Sequence, residues 1–402
     1  MKKSALDQWI CDNEKISHLT REILEDLQLA KLNALLPRLH RRGGFYDLPD
    51  HLASLKELEG LPFTTADDLA EHSHLFLLGS QSLVSRVISG ATSGTTGPSK
   101  RVFYSDTDLE NTVTFFAAGI SEMTAVGDTV LITMPFSGSG GLGELIAKAV
   151  ESLGARPIRA GSGLSYAQLK DIMHLERPSS YIGMPVPLLS LLRFCGESST
   201  IKRALVSADV CPTSVQREIE DLLGSKLFPH YGLRESCLGG AVTCQAHEGM
   251  HVRENHIIVE IIGKNAKPVP DGEYGELVIT TVGMEIMPLI RYKTKDRAHI
   301  LSEPCPCGAM SRRIEVEGRL DDHLRMADID EALFDIKELV DVKAAFVGNV
   351  LELTAYVLEK SSIQEEIQKR LSPLLPEHKI IIRTQICDGE CKSLYPAKRM
   401  IG

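Results

Sequence analysis

Apolar and polar residues follow one another in a pattern that predicts helices between strands in the first half of this chain. Apolar residues three and four positions apart predict a helix over residues 16–36 that ends at Pro37. Short apolar runs predict strands at 128–133, 181–183 and 204–206, and helical patterns occupy 105–120, 144–153 and 186–194. Strands that alternate with helices favour crossover connections and a layered, largely parallel sheet.

The pattern changes in the second half of the chain. Residues 257–262 and 275–280 predict two strands joined by a turn at Pro270-Asp271-Gly272. After residue 324 the pattern predicts a small α+β segment, with strands at 340–347 and 351–357 and a helix at 363–375. We therefore expect an α/β fold with a large domain of layered mixed sheets and helices over 1–318, a junction at 319–322, and a small α+β domain over 323–402.

The composition indicates a globular protein of more than one domain. The chain has 402 residues, of which 43% are hydrophobic and 24% charged. Its net charge of −10 argues against a broad surface for nucleic acid. No apolar run has the length of a membrane span, and no apolar region of a signal peptide follows Met1-Lys2-Lys3-Ser4. Because the nine cysteines suit a reducing compartment, we expect a cytoplasmic protein without nucleic-acid or membrane partners.

A loop rich in hydroxyls and glycines is the first candidate for chemistry, and it runs Ala91-Thr92-Ser93-Gly94-Thr95-Thr96-Gly97-Pro98-Ser99-Lys100. Glycines let backbone N–H groups curl around an anion, while the hydroxyls and the lysine add donors and charge. The segment is not a Walker A motif, because Pro98 follows Gly97 where that motif has lysine. Strand-like segments flank it, so we expect a phosphate-binding loop at a hairpin. A Ser/Gly-rich surface turn is the structural alternative.

Four further segments carry side chains suited to a nucleotide. In His230-Tyr231-Gly232-Leu233-Arg234-Glu235, Tyr231 could stack on a purine and Glu235 could hold Mg²⁺. Asp296, at the end of Arg291-Tyr292-Lys293-Thr294-Lys295-Asp296, could accept both ribose hydroxyls. Gly318-Arg319-Leu320-Asp321-Asp322 and Pro396-Ala397-Lys398-Arg399 place cations at the junction and on the small domain. Each segment alone has an ordinary structural explanation, such as a buried tyrosine beside a surface acid.

A metal site is a second hypothesis. Cys305 and Cys307 are too close in sequence to form a zinc knuckle, but the distant pair Cys244 and His251 could complete four ligands. His247 is an alternative ligand to His251. Four protein ligands would make such a zinc ion structural, because no position stays open. The alternative is a group of reduced cysteines beside a surface histidine. No Gly-x-Ser-x-Gly motif supports a hydrolase.

In their order along the chain, these segments resemble those of the adenylate-forming superfamily of acyl- and aryl-CoA ligases, adenylation domains and luciferases. The resemblance covers residues 84–322 and is greatest to the phenylacetate–CoA ligase branch. That narrower likeness rests on Pro270-Asp271-Gly272-Glu273-Tyr274-Gly275-Glu276-Leu277, on Pro288-Leu289-Ile290-Arg291-Tyr292, and on Cys305-Pro306-Cys307-Gly308. Relatives in this branch also include proteins with structural zinc sites.

The resemblance implies a role for each matching position. Glu235 would bind Mg²⁺, Asp296 the ribose hydroxyls, and Arg319 the ribose–phosphate region. Asp321 would be the hinge of a mobile small domain, and Lys398 would stabilise charge during adenylation. The remaining nucleotide contacts would be Thr92, Ser93, Gly94, Thr95, Thr96, Gly97 and Lys100 at the phosphates, Ser207, Ala208 and Asp209 at adenine, and His230, Tyr231 and Gly232 beside them.

The implied reaction uses ATP and Mg²⁺ to convert a carboxylic acid into an acyl-AMP, with pyrophosphate released, followed by transfer of the acyl group to CoA. Catalysis of this kind is chiefly positioning and charge neutralisation. A homodimer is a further expectation at the level of the family. Two alternatives stay open: an accessory protein that binds AMP or an acyl-adenylate without catalysis, and an enzyme that transfers the acyl group to a protein thiol or amine.

The chain departs from the family pattern at several positions. Arg234 lies where the family usually has threonine or serine, and Lys295 lies where it usually has glycine. Ala327 and Ala397 also fall near positions where glycine is common. These substitutions are the sequence support for the accessory-protein alternative.

Overall fold

The computed structural model describes residues 3–42, 44–90, 100–138, 140–320, 323–359, 362–387 and 401–402. The chain divides into two compact units. The first unit comprises Met1–Glu122 and His230–Asp321, and the second comprises Met123–Pro229 and Asp322–Gly402. These units are groups of residues in mutual contact, so the division into a large domain, a hinge and a mobile small domain stays a prediction. Within the described residues, no helix is both long enough and apolar enough to cross a membrane.

The α-helices are α1 Ala5–Glu14, α2 Arg21–Arg42, α3 Ala66–His72, α4 Asp106–Ile120, α5 Leu142–Ser152, α6 Tyr166–Glu176, α7 Pro185–Cys195, α8 Thr213–Leu223, α9 Met326–Leu333 and α10 Gln364–Leu371. The strands are β1 Arg86–Gly90, β2 Lys100–Tyr104, β3 Thr129–Ile132, β4 Arg156–Arg159, β5 Ser180–Gly183, β6 Arg203–Val206, β7 Phe228–Tyr231, β8 Ala241–Val242, β9 Met250–Val252, β10 Ile257–Ile262, β11 Gly275–Thr281, β12 Tyr292–Ile300, β13 Arg313–Arg319, β14 Leu339–Val347, β15 Val350–Val357 and β16 Lys379–Ile386. Short 3-10 helices lie at Leu55–Gly60, Ser73–Phe76, Gln81–Leu83, Gly196–Ser198 and Arg234–Ser236.

The first unit is built on antiparallel strands. Strands β10, β11, β12, β13, β9 and β8 are neighbours in that order, and His230 and Tyr231 of β7 pair with β8. The separate hairpin β1–β2 is antiparallel. Side chains of α2, including Leu32 and Leu36, share one apolar core with Ile279 and Ile314 of the strands. Burial of this face orders the strands that carry the candidate site.

The second unit contains a parallel sheet in the order β4-β3-β5-β6, with Phe228 and Pro229 of β7 pairing with β6. It also contains the sheet β14-β15-β16, in which β15 and β16 are parallel. The predicted strands and helices of both segments are present, so the α/β class and the α+β character of the C-terminal segment are confirmed. Helix α4 begins as predicted, because Ser105 and Asp108 form a reciprocal capping box.

The helix predicted over 16–36 is wrong at both ends. Helix α2 begins at Arg21 and continues past Pro37 to Arg42. Proline removes one backbone hydrogen bond from a helix interior and usually ends or kinks the helix. Here Leu36 and Leu39 on either side of Pro37 are buried in the core of the first unit, and that burial outweighs the lost bond.

Candidate active site

The predicted hairpin holds one end of the site. Strands β1 and β2 pair in antiparallel register with Gly90 opposite Lys100, as the flanking patterns predicted. The predicted phosphate loop, with Thr92, Ser93, Gly94, Thr95, Thr96 and Gly97, lies outside the described residues. Lys100, the first residue of β2, extends its ammonium group to the carboxylate of Glu235. The hairpin therefore delivers a cation to the predicted magnesium ligand.

Glu235 is a buried carboxylate with two compensating partners. Its side chain is 3% exposed, it forms an ion pair with Lys100, and its Oε1 accepts a hydrogen bond of 2.9 Å from the hydroxyl of Tyr292. Lys100 also donates to that hydroxyl over 3.3 Å. Burial, followed by the negative charge of Glu235, raises the pKa of Tyr292, so this hydroxyl stays a donor. Tyr292 lies in one of the predicted segments, but no sequence pattern indicates its contact with Glu235.

Asp296 is a second buried carboxylate with the same kind of support. Asp296 of β12 lies opposite Arg319 of β13 in the strand register, and the guanidinium is 3.2 Å from Oδ1 of Asp296. The hydroxyl of Tyr231 donates to Oδ2 over 2.6 Å. Arg319 also donates to the backbone carbonyl of Thr294. The three predicted residues Tyr231, Asp296 and Arg319 therefore meet in the first unit, around a carboxylate that can accept hydroxyl donors.

The segment around Tyr231 is tightly packed. The ring of His230 contacts Phe115 and Phe116, and burial lowers the pKa of His230 to about 4, so the imidazole is neutral near pH 7. A Cβ at Gly232 would lie 2.0 Å from the carbonyl oxygen of Leu238, so only glycine fits that position. Contact of Tyr231 with adenine stays a prediction.

Two of the residues that depart from the family pattern, Arg234 and Lys295, are exposed. Arg234 directs its carbonyl, not its side chain, into the structure, where Tyr104 donates to it over 2.6 Å. Lys295 has a φ of 61°, in the left-handed region that favours glycine. The usual glycine at this position therefore reflects a backbone requirement, and Lys295 meets it at the expense of strain.

Other predicted residues lie in the second unit or outside the description. Ser207, Ala208 and Asp209 directly follow β6, with Ala208 at a φ of 70°, and their contact with adenine stays a prediction. Asp321 and Lys398 lie outside the described residues, so the hinge and the catalytic lysine also stay predictions.

A compact set of metal-ligating side chains lies elsewhere in the first unit. It consists of Cys244, His251, Cys305 and Cys307, whose ligand atoms all lie within 4.8 Å of one another. All four residues are buried. His247 is not a member of this set. The sequence predicted these same four ligands, because Cys305 and Cys307 lie too close in sequence to bind an ion without two distant ligands.

The separations within this set suit a tetrahedral ion. The Sγ atoms of Cys244 and Cys305 are 3.7 Å apart, and Sγ of Cys307 is 3.5 Å from Nε2 of His251. A tetrahedral ion with metal–sulfur bonds of ~2.3 Å and a metal–nitrogen bond of ~2.0 Å separates its ligands by about 3.8 Å (S–S) and about 3.5 Å (S–N). Burial raises the pKa of Cys244 and Cys305, and a bound cation would offset that cost of forming thiolates.

The orientation of His251 also suits metal binding. Its Nδ1 lies 3.0 Å from the backbone carbonyl oxygen of Ser311. A carbonyl only accepts hydrogen bonds, so Nδ1 carries the proton and the lone pair of the neutral imidazole is on Nε2, beside Cys307. Sequence analysis did not find Ser311, because its contact with His251 depends on the pairing of β9 with β13.

Comparison with known proteins finds similar sequences and a similar fold. A family model described as AMP-binding enzyme matches residues 91–287. The phenylacetate-coenzyme A ligase of Thermus thermophilus is 29% identical, over 77% of this chain and 73% of that protein. The phenylacetate-coenzyme A ligase of Aromatoleum evansii is 28% identical, over 82% of this chain and 78% of that protein. The fold is similar to that of a crystal structure of 2-hydroxyisobutyryl-CoA ligase in the postadenylation state in complex with R3-HIB-AMP, with a TM-score of 0.75, 19% identity, and coverage of 94% of this chain and 89% of that one.

Proposed function

The chain belongs to the adenylate-forming superfamily, in the branch of the phenylacetate–CoA ligases, and we propose that its first unit holds the nucleotide for the adenylation step. The protein is an AMP-forming acid–CoA ligase. A carboxylate oxygen of the acid attacks the α-phosphate of ATP, and pyrophosphate leaves. The thiol of CoA then attacks the acyl carbon, and AMP leaves.

The pair of buried carboxylates supports this proposal. Asp296 and Glu235 each accept from a tyrosine hydroxyl, and each lies beside a cation, Arg319 or Lys100. A buried carboxylate is costly unless it is paired and hydrogen-bonded. These partners offset the cost of burial and hold each carboxylate in place. The hydroxyls of ribose suit Asp296, and Mg²⁺ beside the phosphates suits Glu235.

Residues outside the described part of the chain complete the proposed site. Thr92 to Gly97 would supply N–H and hydroxyl donors to the phosphates, and Lys398 would neutralise charge on the α-phosphate during attack. Mg²⁺, when bound, would withdraw charge from the phosphates.

The ribose assignment is tested by comparing nucleotides that differ in hydroxyls. We expect the wild type to bind ATP at least about 10-fold more tightly than 2′,3′-dideoxy-ATP, because a site built for a hydroxyl leaves polar groups unpaired without it. Asp296→Asn should lose most of that preference, while Asp271→Asn, an exposed acid in the same unit, should keep it. Isothermal titration measures both affinities. Equal preference in the two variants would remove Asp296 from the ribose site.

We propose that the acid binds at a pocket in the second unit. The pocket is lined by residues that include Thr133, Leu164, Tyr181 and Met184. Strand order β4-β3-β5 places it at the carboxyl ends of β3, β4 and β5, where the direction of winding reverses and where α/β sheets bind ligands.

We propose zinc for the set Cys244, His251, Cys305 and Cys307. Three thiols and one imidazole within 4.8 Å of one another match the preference of Zn²⁺, and four protein ligands leave no position for substrate. The ion would hold two segments of the first unit together. Metal analysis of the purified protein should find about one zinc per chain, and Cys305→Ser should lose it, whereas Cys11→Ser should retain it. Absence of zinc from the wild type, also after incubation with Zn²⁺, would contradict the assignment.

A further inference from the structure

A carboxylate from the first helix lies against the loop that carries the proposed zinc ligands. Asp7 of α1 is 5% exposed. Its Oδ2 accepts from the backbone N–H of Met310 over 2.6 Å, and its Oδ1 accepts from the hydroxyl of Ser311 over 2.7 Å and from the N–H of Ser311 over 3.3 Å. Asp7 thus fills its acceptor sites with donors from two consecutive residues, just after Cys305 and Cys307.

Ser311 connects Asp7 to His251. The hydroxyl of Ser311 has one proton, which it donates to Asp7. A lone pair of the same hydroxyl oxygen therefore faces Nδ1 of His251, 3.0 Å away, beside the carbonyl oxygen of Ser311 at the same distance. Both oxygens accept from Nδ1–H. This chain of bonds fixes the orientation of the ring whose Nε2 faces Cys307.

The same loop has contacts with the second helix. Arg21 of α2 donates to the carbonyl oxygen of Met310 over 3.4 Å and forms a two-point ion pair with Glu254. Glu254 in turn accepts from the N–H of Arg312 over 2.7 Å. Both N-terminal helices, α1 and α2, therefore hold the loop from Cys305 to Arg312. A change in the loop would alter its contacts with these helices.

We propose that Asp7 is a positioning residue of the metal site, which fixes His251 through Ser311 and so couples docking of α1 to retention of the metal. The proposal rests on the proposed zinc site. Residues that hydrogen-bond to a metal ligand fix its tautomer and orientation, and removing them typically lowers metal affinity by about 10–100-fold. Coupling of this kind is reciprocal, so the metal also stabilises the docked helix.

The test compares two variants with the same change of charge on the same helix. In Asp7→Asn, either orientation of the amide turns its NH₂ group toward donors of Met310 or Ser311. Asp12→Asn is the matched control, because Asp12 is exposed and accepts only from Gln8 among the contacts described. Zinc release into excess chelator, followed by the colour of 4-(2-pyridylazo)resorcinol, should be about 10–100-fold faster for Asp7→Asn than for Asp12→Asn or the wild type.

A second variant and a spectroscopic signal separate positioning from folding. Ser311→Ala removes the hydroxyl but leaves both backbone N–H bonds to Asp7, so it should fold and still release zinc faster than Asp12→Asn. With Co²⁺ in place of zinc, the visible bands report ligand geometry, and they should shift in both Asp7→Asn and Ser311→Ala. Equal release rates and unchanged bands in a zinc-loaded wild type and both variants overturn the role of Asp7. A wild type that takes up no zinc overturns the zinc site itself, and the role of Asp7 with it.

Discussion

At the scale of residues, the site consists of two similar arrangements in which a buried carboxylate accepts from a tyrosine and faces a cation. Sequence motifs predicted site roles for Glu235 and Asp296, because the order of those motifs along the chain is characteristic. The partner of Glu235, Tyr292, could not be assigned in the same way. Tyrosine at the start of a strand is common in any core, and the contact depends on how β12 packs against the 3-10 helix Arg234–Ser236.

Tyr292→Phe should raise the Mg²⁺ concentration required for adenylation and have a lesser effect on the stability of the protein. The variant removes the hydroxyl that donates to Glu235 over 2.9 Å, and a hydrogen bond to a charged group contributes about 1.5–3 kcal/mol. We expect the Mg²⁺ concentration for half-maximal adenylation to rise about 10-fold, with a smaller change in the KM for ATP. Steady-state kinetics at varied Mg²⁺ measures both.

The matched control is Tyr166→Phe, which removes a buried hydroxyl bonded to the carboxylate of Asp341 in the second unit. It should lower the midpoint of thermal unfolding and leave the Mg²⁺ requirement unchanged. The same Mg²⁺ dependence in both variants would assign Tyr292 a purely structural role.

The burial of His230 predicts that the protein loses stability at acid pH. Burial lowers its pKa to about 4 from an ordinary value near 6.5. Below pH 6.5 the unfolded chain therefore binds a proton that the folded chain does not bind until about pH 4. The stabilisation is present above pH 6.5 and is lost as the pH falls toward 4. From pH 7 to pH 5 this one group should remove about 2 kcal/mol of the free energy of unfolding.

Urea unfolding at the two pH values measures that loss. His230→Gln should reduce the difference between pH 7 and pH 5 by about 2 kcal/mol, whatever its effect on stability at pH 7. His18→Gln, at an exposed histidine of the same unit, should leave the difference as in the wild type. A difference unchanged in His230→Gln would show that this histidine does not titrate as a buried group.

At the scale of elements, prediction succeeded where one local signal decides the structure. The capping residues Ser105 and Asp108 placed the start of α4, and strands β10 and β11 follow the apolar runs. It failed at Pro37, where burial in the core overrides the local preference of proline. Strand β12 was not predicted either, because its exposed face carries Lys293 and Lys295 and its apolar content is low.

Lys295 on β12 offers a test of the backbone account. A side chain at a φ of 61° is strained, and glycine removes that strain. Glycine also adds conformational entropy to the unfolded chain, which offsets part of that gain. Lys295→Gly should therefore raise the free energy of unfolding by up to about 1 kcal/mol. Lys343→Gly, at an exposed lysine of β14 without positive φ, should lower it by a similar amount. Chemical denaturation that shows both variants equally destabilised would contradict the strain at Lys295.

At the scale of the whole molecule, the order of the motifs along the chain predicted the family, and the resemblance to that family predicted the fold. Local patterns could not indicate that residues 123–229 and the C-terminal segment belong to one compact unit, because that grouping depends on contacts between distant parts of the chain. They also could not connect Asp7 with His251, which are 244 positions apart in the sequence (251 − 7). The four metal-ligating residues could be predicted from the sequence, because the spacing of cysteines and histidines restricts which of them can bind one ion.

The central claim, that this chain adenylates a carboxylic acid, is tested most directly by ATP–pyrophosphate exchange with Mg²⁺ across a panel of aryl and short-chain carboxylic acids. We expect exchange with a subset of these acids, none without an acid, and at least about 100-fold slower exchange in Lys398→Ala with ATP binding retained. Binding of ATP or AMP without exchange for any acid would contradict the claim and identify the chain as an accessory nucleotide-binding protein.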